Sequence, residues 1–554
     1  MRIPTTSHAD HSFSRVPKAE IPRSSFDRSH GIKTTFNAGW LVPFYVDEVL
    51  PGDTFNANLT AFTRLATPLF PFMDNIYLDT FFFFVPNRLV WSNWEKFNGE
   101  QDNPADSTSF LVPQQVSPAS PVGYRQPANW LTPTTNELNG ALADYMGIPT
   151  NIPGLSHNAL PLRAYNLIYN DWFRDQNIQN SAVVDRTDGP DTITNYVLRR
   201  RGKRHDYFTS ALPFPQKGPA VSIPLTGNAP IRGLGFVGNT ANVQLNLANM
   251  RETAPLSNRT YPFAMPLRDG TVNNTFYAEL DSATAATGKP LIYADLSAAT
   301  AATINQLRQS FQLQKLYERD ARGGTRYTEI IQAHFGVISD DARLQRPEYL
   351  GGGSSPIVVN PVAQTSAVTG QPTPQGNLAA IGTGTIMGHA FTKSFTEHGY
   401  VIGLISARAD LTYQQGLNRM WTRSTRFDYY WPALSHIGEQ AVQNREIFAV
   451  GSANLTQDLA TFGFQERYAE YRYKPSQICA QFRSNFTAPL DTWHLAQNFL
   501  TLPTLNATFI EENPPINRVI AVTTAPHFIM DAHLKLKCAR PMPVYSVPGL
   551  IDHF

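Results

Sequence analysis

Five fixed cations fall within six positions at Arg199-Arg200-Arg201-Gly202-Lys203-Arg204, followed by His205. Guanidinium forks meet phosphate oxygens in pairs, and a run of positive charge gains further from counterion release when it docks on a polyanion. The chemistry on offer is phosphate contact, to a nucleic acid first of all. A competing use is internal, because Asp185, Asp188 and Asp191 lie just upstream and could take up the same charges. A second basic stretch, residues 1 to 35, carries Arg2, Arg15, Lys18, Arg23, Arg28 and Lys33 against Asp10, Glu20 and Asp27, with little apolar periodicity. It reads as an arm, either disordered or ordered by a neighbouring subunit or by nucleic acid.

Other chemistry is harder to build. Gly233-Leu234-Gly235-Phe236-Val237-Gly238 has the spacing of a dinucleotide-binding loop. That loop needs a buried strand before it and a helix after it, so that amides and helix dipole meet the pyrophosphate. Here Pro224 to Pro230 precede it, and Val243-Gln244-Leu245-Asn246-Leu247 alternates like a strand behind it, so a glycine-rich turn is the better reading and no cofactor is expected. The 13 histidines show no metal-ligand spacing, and His334, His398 and His436 read as core or interface residues. No nucleophile elbow and no phosphate-binding loop with its lysine occurs. Asp340 and Asp341 are neighbours that would point apart in a strand. Tyr429-Tyr430-Trp431-Pro432 and Trp91-Ser92-Asn93-Trp94 could stack on sugars or bases, though core or subunit packing suits them better.

The elements around these groups follow from composition. The 554 residues hold 45 Lys and Arg against 44 Asp and Glu, a net charge of +1, and only 16% are charged. A nucleic acid could not be neutralised by such a chain alone, whereas 42% hydrophobic and 12% aromatic residues can fill a large core. With 42 prolines and 35 glycines, turns and irregular connections are favoured over long helices. Cys479 and Cys538 are too few for a disulfide scaffold or a thiolate zinc site. The N-terminus lacks the apolar stretch of an export signal, and the run Phe81 to Val85 is too short to cross a bilayer, so no membrane insertion is expected.

Phe55 to Ala61 alternates apolar and polar residues as a half-buried strand does, and Ile76 to Pro86 suits a strand buried on both faces that Pro86 ends. Leu534, Leu536 and Cys538 alternate with His533, Lys535 and Lys537, so one sheet system closes with the first and last parts of the chain. Helices are expected as short pieces in connections: one opened by Pro161, with Leu162, Tyr165, Tyr169 and Trp172 on one face, and one from about Thr303 that stops before Gly323-Gly324. Residues 221 to 300 are small and neutral, as an exposed insertion would be, and Gly351 to Pro374 reads as a long surface loop.

Longer blocks point to a family. Thr34-Thr35-Phe36-Asn37-Ala38-Gly39-Trp40-Leu41-Val42-Pro43, Val49-Leu50-Pro51-Gly52-Asp53-Thr54-Phe55, Leu162-Arg163-Ala164-Tyr165-Asn166 and Trp172-Phe173-Arg174-Asp175-Gln176-Asn177 resemble the major capsid protein of the gokushoviruses, single-stranded DNA phages of the Microviridae. Gly202 to Ser210, Ala321 to Tyr327, His334 to Val337, Arg346 to Gly352 and Tyr413 to Leu417 continue the resemblance in the same order over roughly residues 20 to 550. At Ala211 and Phe214 many relatives carry Cys and Trp, a change of core-residue size, and residues 221 to 300 match poorly.

The resemblance implies a mainly β fold, an eight-stranded antiparallel jelly roll with long loop insertions, in a T=1 icosahedral shell and with no enzymatic activity. It divides the chain into a basic arm, 1 to 35, and a capsid domain, 36 to 554, with 221 to 300 as a surface protrusion at the three-fold axes. Its partners would be other copies of the chain, the single-stranded DNA genome, a small basic DNA-packaging protein, a minor pilot protein and a receptor on the bacterial host surface. Genome or packaging-protein contact would fall to Arg199, Arg200, Arg201, Lys203 and Arg204 with Arg15, Lys18 and Arg23; receptor contact would fall to Gly233, Phe236, Asn258, Tyr261, Asn274 and Thr284. Assembly would take place in the host cytoplasm, and the protein would end in the virion capsid. The competing functions are a β-rich carbohydrate-binding surface protein, which the aromatic content permits, and a hydrolase whose carboxylates come together from distant loops.

Overall fold

The computed structural model describes residues 22–117, 141–150, 152–221, 304–324, 327–336, 345–366 and 375–545, together with short strands between 231 and 294. Nine strands form the main sheet: β1 (Ser24–Asp27), β2 (His30–Phe36), β3 (Val42–Val49), β4 (Thr54–Leu65), β5 (Ile76–Pro86), β6 (Glu348–Ala363), β7 (Leu378–Ser394), β8 (Gly399–Ala409) and β9 (Phe528–Arg540). All pair antiparallel, and the pairs are nested: β2 with β9, β3 with β8, β4 with β7, β5 with β6. Because β9 also pairs β4 and β8 also pairs β5, two four-stranded sets result, β2-β9-β4-β7 and β3-β8-β5-β6. This is the strand order of an eight-stranded jelly roll. One hairpin joins the sets: β6 runs along β5 from Glu348 to Ile357 and then along β7 from Ile357 to Ala363.

The first set has one covered face. In β4, Phe55, Ala57, Leu59, Ala61, Thr63 and Leu65 are buried while the residues between them are exposed, and β9 repeats the pattern from Phe528 to Cys538. The second set is covered on both faces, so β5 and β8 are buried almost throughout. Phe82 points inward against Phe44, Tyr45 and Phe391, whereas Phe81 and Phe83 point outward onto Phe173, Trp172 and Tyr349. Each such ring, removed from water, stabilises the roll by about 1.5–3 kcal/mol.

Phe173 and Trp172 come from the helix that Pro161 opens, α-helical over Leu160–Ile168 and continued by one π turn, Tyr169–Phe173. Within it Arg163 is fully buried. Its fork holds Asp191, and it donates to the carbonyls of Val90 at 3.1 Å and Thr187 at 2.9 Å.

Three sequence expectations change. The last part of the stretch 1 to 35, read as an arm, holds β1 and most of β2, both paired with β9 of the same chain. The glycine-rich stretch from Gly351, taken as a surface loop, lies in β6 as far as Ala363. Its glycines serve close approach: a Cβ on Gly352, at φ +155°, would stand 2.0 Å from the Thr80 carbonyl oxygen, and one on Gly353 would stand 2.5 Å from the His389 ring. The second helix, Ile304–Gly323, is 20 residues long and ends on Gly323 rather than before it.

The chain divides into two compact units, residues 1–215 with 323–554, and Gln216–Arg322. The second unit holds most of the 304–323 helix and three short antiparallel pairs, 231–232 with 293–294, 250–251 with 260–261, and 264–266 with 273–275.

Candidate functional site

The basic segment is a strap stitched to two others by its backbone. Leu41 donates to the Arg199 carbonyl at 2.9 Å, Arg201 to Gly39 at 2.8 Å, Lys203 to Ile510 at 2.8 Å, and Glu512 to Arg201 at 2.7 Å. Gly39 makes the crossing possible, since at φ +81° a Cβ would stand 2.1 Å from the Glu512 carbonyl oxygen. Extended backbone sends successive side chains to opposite faces, so the cations enter different surroundings.

Arg200 lies 4.3 Å over the Trp40 ring and donates to the Glu512 carbonyl at 3.0 Å and Asn513 Oδ1 at 3.1 Å. Arg201 pairs with Asp79 at 2.5 Å and lies 4.8 Å over Phe81. Lys203 donates to Gln497 Oε1 at 3.1 Å, 4.4 Å from the centre of the Phe509 ring. Arg204 stacks 4.6 Å over Tyr77 and pairs with Asp410 at 3.3 Å while staying partly exposed. Arg199 lies 5.7 Å over Tyr169.

Two buried carboxylates answer this charge. Burial opposes ionisation of Asp79, but the Ser354 hydroxyl, Arg201 and Arg408 outweigh it and hold the pKa below the ordinary value. Arg408, 2.8 Å from Asp79, is itself pushed down to about 10 by burial and by Arg201. Glu512 is fully enclosed, and burial pushes its carboxyl up to about 7 against the pull of Lys203, Arg408, the Ala409 amide and Arg201. Burial likewise pushes the Lys203 amine down to about 8, only partly offset by Glu512 and Asp206. The result is a layer of mixed charge on the outer side of β5 and β8, whose cations are taken up largely within the chain.

The upstream acids do not supply the partners. Asp185 caps Thr187, Asp188 accepts from Trp91 Nε1 and Asn93, and Asp191 holds Arg163. Sequence reasoning missed Asp79, Asp410 and Glu512, although a lone acid inside the apolar run Ile76 to Pro86 was a visible sign that some cation must meet it.

The remaining candidates are scattered. Arg23 is exposed beside the sheet edge and donates to Thr54 Oγ1 at 2.8 Å. Arg15, Lys18, Gly233, Phe236, Asn258 and Thr284 lie outside the described residues, as does the whole glycine motif at 233–238. Tyr261 and Asn274 fall in the short paired strands of the second unit. Of the aromatic clusters, Trp91 is core, with Trp94 against it, whereas Tyr429, Tyr430 and Trp431 are exposed. His389 sits between Thr80 at 2.7 Å and Ser355 at 3.1 Å, inside the sheet. Among the described residues no group of three or more metal-ligating side chains lies where it could hold an ion, and no helix is long and apolar enough to cross a membrane.

A roll of this order serves shell subunits as well as unrelated binding proteins, and comparison with known proteins decides between them. The family model described as capsid protein (F protein) matches residues 14–550. The chain belongs to this family of phage capsid proteins. It is 49% identical to capsid protein VP1 of Bdellovibrio phage phiMH2K over 562 residues, covering 99% of each chain. Identity to capsid protein VP1 of Chlamydia phage 1 is 46%, covering 97% of each, and to that of Spiroplasma virus 4 it is 37%, covering 98% and 97%. The gokushovirus resemblance therefore holds along the whole length. This capsid protein is structural and not an enzyme, and its place is the virion capsid.

Proposed function

We propose that this capsid protein forms a T=1 icosahedral shell around a single-stranded DNA genome, assembling in the host cytoplasm. The observation that carries the reading is the nested eight-strand roll whose connections 87–347 and 410–527 hold more than half of the chain. A roll manages its own edges, and loops on that scale supply the surface for contacts among copies. Residues 221 to 300, with Tyr261 and Asn274 among them, form the surface insertion that meets the host receptor. Genome or packaging-protein contact belongs to Arg15, Lys18 and Arg23 of the arm and to Arg199 and Arg204 on the strap. Arg200, Arg201 and Lys203 hold that strap in place. The pilot protein joins the same particle as a minor component.

Light scattering and negative-stain imaging of the purified protein test the shell: uniform closed particles support it, and subunits that stay small even with the phage's other structural proteins co-expressed refute it. Gln at Arg15, Lys18, Arg23, Arg199 and Arg204 together should lower packaged DNA while shells still form, and unchanged DNA content would refute the assignment of those contacts.

A further inference from the structure

Residues 417–437 and the turn at 467–473 make a surface in which rings and arginines alternate. Six of its rings are about half exposed or more: Trp421 70%, Tyr429 55%, Phe427 54%, Tyr430 50%, Tyr471 50% and Trp431 48%. The surface is built, not loose. Arg423 lies 4.2 Å over Tyr471 and 5.3 Å over Tyr429, Arg426 lies 4.8 Å over Phe427, and Arg467 lies 4.8 Å over Tyr468. A capping box between Thr425 and Asp428 fixes the turn, and Trp431 Nε1 donates to the Arg426 carbonyl at 2.8 Å. Much of the ordering that docking would demand is therefore already in place.

A fully buried ring removes about 150–250 Å² from water, so these six leave roughly 600 Å² open. With exposed Leu417, Met420 and Ile437 beside them, the patch exceeds what a monomer usually shows and approaches the ~800 Å² a stable interface takes from each partner. Trp, Tyr, Phe, Met and Arg without lysine between 417 and 437 is the make-up of an interface core. A single strand of nucleic acid would need open ring faces for stacking, and here Arg423 and Arg426 lie over the faces of Tyr429, Tyr471 and Phe427.

We propose that this surface docks head to tail on a second copy of the chain, against the exposed segment 98–111. That segment is irregular and offers exposed Glu100 and Asp102 for the arginines, Asp102 with only a loose 3.8 Å pairing to Lys96 to give up, and Leu111, 84% exposed, for the rings; Asp106, half-buried, caps the Asn103 amide at 3.0 Å and shapes the segment. Two different patches of one chain make a heterologous contact, which propagates into a ring or closed shell instead of stopping at a dimer. The inference rests on the shell reading only in requiring that copies associate.

The test compares assembly of the full chain with two variants, Trp421→Ala with Trp431→Ala, and Arg426→Glu with Lys474→Glu, the exposed lysine beside Trp421. Circular dichroism of each should match the parent, since the substituted side chains are surface groups. Both should place at least tenfold fewer subunits in shells, and adding Glu100→Lys and Asp102→Lys to the charge-reversed variant should bring assembly back to within twofold of the parent. Normal assembly of the variants, or no recovery on compensation, overturns the contact. Normal shell yield with reduced DNA assigns the surface to nucleic acid and also overturns it. A parent chain that never associates refutes the shell reading first, and the contact with it.

Discussion

Glu512→Gln should change how subunit stability depends on pH. The carboxyl is pushed up to about 7 in the folded protein, against 4.5 when unperturbed, and burial is the main cause. Between those values the folded chain holds a proton that the unfolded chain has released, so stability falls as pH rises and the loss is complete above the folded value. The gap corresponds to about 3 kcal/mol. Gln keeps the shape and the neutral state, so variant and parent should converge toward pH 4, the variant should lead by about 1 kcal/mol at pH 5, and it should be more stable by up to about 3 kcal/mol near pH 8. The gain is trimmed by Lys203, already at about 8, which releases its proton sooner once the neighbouring carboxylate is gone.

The parent's own profile hides this effect. Burial and Arg200 push His527 down to about 4, and burial lowers His157, His389 and His494 as well. For these the unfolded state binds more protons through the acid window, so their contribution rises with pH where that of Glu512 falls. Taking the difference between variant and parent cancels the histidines. Urea unfolding of the unassembled subunit, followed by tryptophan fluorescence at pH 5, 6, 7 and 8, reads that difference directly. Parallel curves, or a variant that loses ground as pH rises, would refute the placement of a reluctant carboxylate beneath the strap.

Two further perturbations probe the same framework. Asp191→Leu leaves the buried Arg163 guanidinium without its anion and should cost about 3–5 kcal/mol, while Arg163→Met combined with Asp191→Leu should recover most of it; denaturation midpoints of the single and double variants decide. Gly39→Ala drives a methyl group into the Glu512 carbonyl and demands an unfavourable φ, so it should cost more than about 1 kcal/mol and loosen the strap, visible as faster hydrogen exchange at the Arg201 and Glu512 amides.

Much of the roll could be read from residues because its strands obey a period of two. β4 and β9 alternate openly, and the phenylalanine run of β5 is continuous because two layers cover it. β6 could not be read so, since glycines chosen for close backbone approach look the same in sequence as glycines chosen for freedom. That the first and last parts of the chain share a sheet was legible, and β9 does lie between β2 and β4, but the full nesting of β3 with β8 and β5 with β6 was hidden, since no local pattern encodes a distant partner. The basic strap combined both situations. Its cations were plain, but the acids that receive them sit at 79, 410 and 512, far from the acids at 185 to 191 that sequence proximity offered.

That displacement decides what the strap does. Asp79 lies in a strand covered on both faces, where an ionised carboxylate is expensive unless cations and hydroxyls surround it. Arg201 and Arg408 reach it from two different segments, so the pair joins the strap and β8 to β5 across the outer layer. Arg200 and Lys203 are spent on rings and amides in the same way. A polyanion approaching this face would compete with partners already desolvated and in contact, whereas it meets no such competition at an exposed side chain. Arg204, only partly covered, and Arg23 at the sheet edge remain accessible, so density of charge in the sequence and availability of charge to a ligand have separated.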